Sequence, residues 1–98
     1  MRLLVYRPAA VGDLDAIFDF IGAESPSRAM SFVADIRTQC RTLCTHPLLG
    51  PARPDIGTDI RIFPMRGRVV IAYRVRPEVI EITRVFYGGQ DYEALRRD

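Results

Sequence analysis

Apolar positions change their period once along this chain, and the change divides it in two. Leu3-Leu4-Val5-Tyr6 is a short β-prone run closed by Arg7-Pro8. Beyond Ala10 the apolar residues fall at Leu14, Ile17, Phe18 and Ile21, the i, i+3, i+4, i+7 stripe of an amphipathic helix. Pro8 suits the first turn of that helix. Asp13, Asp15 and Asp19 take its wet side. Arg7, near the N-cap, supplies no side-chain acceptor for the free N–H groups.

Gly22-Ala23-Glu24-Ser25-Pro26 is a boundary in which Ser25 is an N-cap and Pro26 a first helical residue. The helical stripe resumes at Ala29, Phe32, Val33, Ile36, Cys40 and Leu43, and Pro47 stops it. Two helices so closely joined must lie antiparallel, as a hairpin. A Pro- and Gly-rich loop runs from Pro47 through Gly57.

After that loop the period becomes two. Ile60 to Pro64, Arg68 to Val75 and Val79 to Tyr87 read as strands, with turns at Arg66-Gly67 and Arg76-Pro77-Glu78. In the middle strand Val69, Ile71, Tyr73 and Val75 share one face, opposite Arg68, Val70, Ala72 and Arg74. Short turns make these strands an antiparallel meander. The tail from Gln90 to Arg97 is expected to add a last helical turn or two.

The predicted class is therefore α+β: an N-terminal strand, an antiparallel helical hairpin, and a C-terminal three-stranded antiparallel meander in a small twisted sheet. The hairpin covers one face. The first strand joins the sheet at an edge or at the centre, and the other face stays partly open and displays arginines. Phe18, Ile21, Phe32, Val33, Ile36, Ile71 and Tyr73 are the expected core.

Composition narrows the setting. Ninety-eight residues make one domain, 1–98, and 48% hydrophobic with 27% charged residues is ordinary for a globular protein. No apolar run approaches the ~20 residues of a membrane helix, and MRLLVYRP is too short for a signal peptide, so a cytoplasmic protein without membrane contact is expected. The two cysteines, Cys40 and Cys44, form no disulfide framework and fit a reducing compartment. They lie four apart with His46 nearby, but zinc wants a fourth ligand, and buried cysteines are commonly small core residues. No metal and no cofactor are expected.

A net charge of +2 is too weak by itself to argue for nucleic acid. All fourteen basic residues are arginine. GC-rich coding explains such a bias; forked contacts to carboxylates or phosphates are the other reading.

Several stretches, in order, resemble the ParE/RelE superfamily of toxins from bacterial type II toxin–antitoxin modules. They are Tyr6-Arg7-Pro8-Ala9-Ala10 with Asp13-Leu14-Asp15-Ala16-Ile17, then Pro47-Leu48-Leu49-Gly50-Pro51-Ala52-Arg53-Pro54. Arg61-Ile62-Phe63-Pro64, Val70-Ile71-Ala72-Tyr73-Arg74 and Ile82-Thr83-Arg84-Val85-Phe86-Tyr87-Gly88 follow. The long hairpin and the Arg-Val-x-x-Gly-x-x-Asp ending favour the ParE-like branch, although many such chains have His at the place of Tyr87. That resemblance implies a growth-inhibiting toxin that binds DNA gyrase and is neutralised by a cognate antitoxin of the ParD kind. The alternative it implies is a ribosome-dependent mRNA endoribonuclease of the RelE type.

Cleavage of RNA by its own 2′-hydroxyl needs a base, an acid and cations on the phosphate. Arg61, Arg84 and Tyr87 offer two phosphate forks and a phenol, without a general base. The competing reading pairs Arg84 with an acidic neighbour and lays Tyr87 over the sheet edge. For docking on a target the candidates are Arg61, Arg68, Arg74, Arg84 and Tyr87. For an antitoxin they are Arg28, Arg37 and Arg41, at the rim of an apolar groove. Gly88-Gly89-Gln90 resembles the release-factor loop that triggers peptidyl-tRNA hydrolysis, but a glycine turn leaving a strand accounts for it.

Overall fold

Six elements follow one another in the computed structural model, which describes residues 1–88. They are β1 (Leu3–Tyr6), α1 (Pro8–Gly22), α2 (Pro26–Thr45), β2 (Ile60–Met65), β3 (Val69–Val75) and β4 (Val79–Tyr87). The expected tail helix, Gln90 to Arg97, lies outside the described residues.

Local chemistry explains the boundaries. α1 begins on Pro8, and Arg7 makes no side-chain cap; its N–H instead donates to the Ile82 carbonyl at 3.0 Å, tying the helix start to β4. Ser25 caps α2 by accepting the Arg28 N–H at 3.3 Å. The β2–β3 turn places Arg66 and Gly67 at φ 54° and 67°, a left-handed pair that suits a tight hairpin.

The sheet order is β1-β4-β3-β2. β1 takes an edge, parallel to β4 with Leu4 opposite Ile80 and Tyr6 opposite Ile82; the other neighbours are antiparallel. Parallel pairing follows from the hairpin, which spans the sheet between β1 and the meander and returns the chain in the same direction.

Leu14, Ile17, Ile21, Ile36, Cys40 and Leu43 of the hairpin meet Val69, Ile71, Tyr73, Ile80, Ile82 and Val85 of the sheet in the main core. Of the expected core, Ile21, Ile36, Ile71 and Tyr73 are buried, while Phe32 and Val33 pack partly buried against them. Phe18 is not core: it is exposed. Its neighbour in the stripe, Ile17, faces the sheet, whereas Phe18 turns toward the seam of the hairpin near Gly22 and Ala29.

The second face of the sheet is less open than the strand pattern suggests. Ile60, Ile62, Ala72 and Phe86 form a smaller core there, covered by Ile56 from the long loop. That loop also closes the β2 edge: Arg53 donates its N–H to the Ile60 carbonyl at 2.8 Å, and Ile62 donates to Pro51 at 3.1 Å. Among the described residues, no helix is long and apolar enough to cross a membrane.

Candidate functional site

β1 is four residues long and pairs only with Val79–Ile82, so the rest of β4 has no strand on that side. α1 fills the gap with one carboxylate. Asp13 Oδ2 accepts the Val85 N–H at 2.8 Å and the Arg84 Nε–H at 2.8 Å, while Oδ1 accepts Arg84 Nη2 at 2.9 Å. Two parallel bonds to a guanidinium plus a backbone donor are a closed, charge-assisted arrangement. A β-bulge makes it reachable, because the register slips between Ala72 and Tyr73 and leaves Thr83 as the extra residue. Thr83 Oγ1 donates to the Ala72 carbonyl at 3.1 Å. The Arg84 guanidinium also lies 5.2 Å from the Phe86 ring centre. Helical periodicity put Asp13 on the wet side; its side chain is in fact only 16% exposed.

Tyr87 ends β4 with its ring edge-on to two others, Phe20 at 6.0 Å and Phe32 at 5.5 Å between centroids. A cleft of about 420 Å³ opens beside it, lined by Asp13, Ala16, Ile17, Phe20, Arg68, Val85, Tyr87 and Gly88. Phe20 is 70% exposed at its mouth. On the far side of Phe32, Arg66 stacks on the ring at 5.8 Å and pairs with Asp35. Arg28 lines an adjoining hollow with Ser27, Ser31, Phe32, Asp35 and Arg66. Arg37 lies 5.2 Å from the Tyr6 ring, and Arg41 bonds to Thr38 at 3.0 Å. Arg37 and Arg41 are nine and thirteen residues beyond Arg28 along α2, about 13 and 20 Å at helical rise. At 3.6 residues per turn Arg28 falls on the opposite side of α2 from Arg37 and Arg41, so the three do not line the rim of one groove.

Arg61 serves a different region. Its Nη1 donates to the Gly50 carbonyl at 2.7 Å. Tyr73, fully buried, accepts the Gly50 N–H at 2.9 Å and donates its hydroxyl to the Pro47 carbonyl at 2.8 Å. Burial pushes the Tyr73 phenol above its usual range, opposed by the Gly50 N–H and Arg61. Two side chains thus seat the loop that follows α2, and Leu48 and Leu49 are exposed on it. Nothing in the strand pattern marked Tyr73 for this; the buried hydroxyl's need for a partner was the available signal.

The catalytic candidates are accordingly apart. Arg61 stands opposite Tyr73 and Tyr87 opposite Val69, four residues away along β3, about 13 Å. Arg61 faces Gly50 and Arg84 faces Asp13. Of the remaining candidates, Arg74 donates Nε–H to the Thr58 carbonyl at 3.2 Å and lies 3.7 Å from Glu81.

Cys40 and Cys44 are free and buried. Desolvation pushes the Cys40 thiol up to about 11 and raises that of Cys44 as well. A raised thiol stays protonated, the opposite of what metal ligation or nucleophilic attack requires. Among the described residues no three metal-ligating side chains come together, and His46 is exposed at the C-cap of α2. Folded protein at pH 8 is expected to leave both thiols unreacted toward Ellman's reagent, with two equivalents released on unfolding; immediate reaction of either would show an accessible thiolate. Because burial holds the folded thiol above the ordinary thiol range, the stabilisation held by protonated Cys40 is complete below that range and fades as pH rises toward about 11.

A helical hairpin on a mixed four-stranded sheet describes a small α+β protein of the ParE/RelE kind. The sequence model of the ParE toxin of type II toxin–antitoxin systems, parDE, matches residues 4–92, and the chain belongs to that family. A chain of the chromosomal ParDE toxin–antitoxin system from P. aeruginosa superimposes with a TM-score of 0.75 at 29% identity, over 90% of this chain and 97% of that one. A conserved hypothetical protein from Helicobacter pylori aligns at 15% identity and TM-score 0.46, over 89% of this chain and 94% of that one, a distance at which it adds nothing to the assignment. No curated protein matches the chain at a significant level.

Proposed function

We propose that residues 1–98 act as one toxin domain that arrests growth by docking on a large cellular target, DNA gyrase, and is silenced by a cognate antitoxin. The family supplies the toxin class. One observation supports docking over catalysis: the Asp13 carboxylate closes on Arg84 at 2.8 and 2.9 Å. A guanidinium so held contributes rigidity to the β4 edge, and a phosphate would have to displace a charge-assisted pair to use it. The ring of Tyr87, packed against Phe20 and Phe32, offers contact area in the same way.

For the antitoxin, the cleft between α1 and β4 has the right chemistry. Phe20 is an exposed aromatic anchor beside Tyr87, and Arg68 stands at the same cleft. A segment that folds on binding must offset several kcal/mol of ordering, which apolar contact flanked by cations can do. Arg28 and Arg66 continue the positive side past Phe32.

Induction of the chain without antitoxin tests the reading: lost DNA supercoiling and an SOS response are expected, with mRNA intact. Tyr87→Phe keeps the ring and removes only the hydroxyl, so growth arrest at matched soluble protein is expected to match wild type. A general acid would lose a factor of about 10²–10⁴. Abolished toxicity with an intact fold, together with cut mRNA, would replace docking by the ribosome-dependent ribonuclease.

A further inference from the structure

On the face of the sheet turned away from the hairpin, a second surface combines exposed aliphatic side chains with open arginine forks. Leu4, Tyr6, Ile80 and Ile82 point to the helices, so alternation puts Leu3, Val5 and Glu81 on the outer face. Leu3 is 71% exposed and Val5 43%. Val5 stands directly opposite Glu81, and Glu81 opposite Arg74.

Around the Glu81 carboxylate stand three arginines, none of them in a bidentate fork. Arg7 Nη1 donates one long bond to Oε2 at 3.4 Å, while Arg74 approaches to 3.7 Å and Arg76 to 4.0 Å. Two closed pairs among the described residues, Arg84–Asp13 and Arg53–Asp55, sit at 2.8 Å. Glu81 Oε1 is buried and accepts no hydrogen bond among the described residues. Arg76 reaches only one other carboxylate there, Asp59 at 3.9 Å. One carboxylate cannot close on three planar forks, so N–H donors of Arg7 and Arg76 remain turned to solvent, with side chains 56% and 48% exposed.

We propose that this outer surface of β1, β4 and β3 binds an extended segment of a partner protein that turns aliphatic and then acidic side chains, at every second position, to the sheet. Carboxylates of the segment close on Arg7, Arg74 and Arg76 in the forked geometry Glu81 leaves incomplete, and aliphatic side chains cover Leu3 and Val5. The aliphatic pair decides against nucleic acid: a phosphate backbone gains nothing from Leu3 or Val5, and the chain's net charge is only +2. The surface is separate from the cleft at Phe20 and Tyr87, which lies on the hairpin side, and goes beyond the antitoxin and gyrase reading.

The test uses the full chain and a fluorescein-labelled peptide, Leu-Ser-Val-Ser-Glu-Ser-Asp-Ser-Glu, with fluorescence anisotropy at rising NaCl. Two further probes are the same peptide with serine for each aliphatic residue and a 20-base-pair DNA duplex. Expected is saturable binding of the first peptide that weakens with salt, falls about tenfold in Arg74→Glu/Arg76→Glu, and falls about fivefold in Leu3→Ser/Val5→Ser. The second variant touches only exposed positions, so it reports on the surface even if charge reversal beside Glu81 disturbs the fold. Three results would each overturn the proposal: no saturable binding, serine peptide bound as well as the first, or duplex bound more tightly with no response to Leu3→Ser/Val5→Ser.

Discussion

Gly50→Ala is expected to be the most damaging single-methyl change in this protein, costing about 3–5 kcal/mol of a small domain's ~5–15. A Cβ at that position would lie 2.4 Å from the Ile62 carbonyl oxygen, 2.8 Å from its carbon and 2.9 Å from the Tyr73 ring. Two of those atoms are backbone and the third belongs to a fully buried ring, so no neighbour can yield by a rotamer change. Moving the loop instead breaks the bonds of Tyr73 to Gly50 and Pro47 and that of Arg61 to Gly50. A buried hydroxyl would then lack partners, adding a desolvation cost. Gly12→Ala is the control. Nothing lies within 4 Å of its Cβ and it sits inside α1, so about 0.5–1 kcal/mol of added stability is expected from helix propensity. Urea melts of the two variants should move in opposite directions; Gly50→Ala melting like wild type would mean that the loop is not seated on β2.

Asp13→Ala should come next, at about 2–3 kcal/mol. It leaves Arg84 without its fork partner and the Val85 N–H without an acceptor at the unpaired part of β4. Breaking a fully buried pair costs about 3–5 kcal/mol, and the figure is reduced here because Arg84 is 32% exposed. In a domain of this size that is about 10–20 °C in Tm. Asp13→Asn retains an acceptor for Val85 and should lose roughly half as much. If Asp13→Ala melts within about 3 °C of wild type, the carboxylate does not hold the edge, and Arg84 regains standing as a phosphate ligand.

Most of the architecture was legible in the residues. The change of period from 3.6 to 2 placed the hairpin and the meander, and Ser25-Pro26 and Arg66-Gly67 placed their junctions, because each is a local backbone preference. The order of motifs carried the family. Phe18 was misplaced for an equally local reason: a four-residue stripe is wider than the seam one helix can bury, and only the position of α2 decides which edge stays wet.

What the sequence by itself determined, then, is the set of elements, their order, the helix-facing side of the middle strand and the family, all of which depend on neighbours a few residues apart. Tertiary structure alone decided the partnerships between residues far apart in the chain. Asp13 meets Arg84 across seventy-one positions, Tyr73 meets Pro47 across twenty-six, and Glu81 gathers Arg7 from across seventy-four. An arginine reads the same in sequence whether its fork is closed by a carboxylate or left open. The difference between rigid support and a binding surface lies in a distance, 2.8 Å at Asp13 against 3.4 to 4.0 Å around Glu81, that no local pattern encodes.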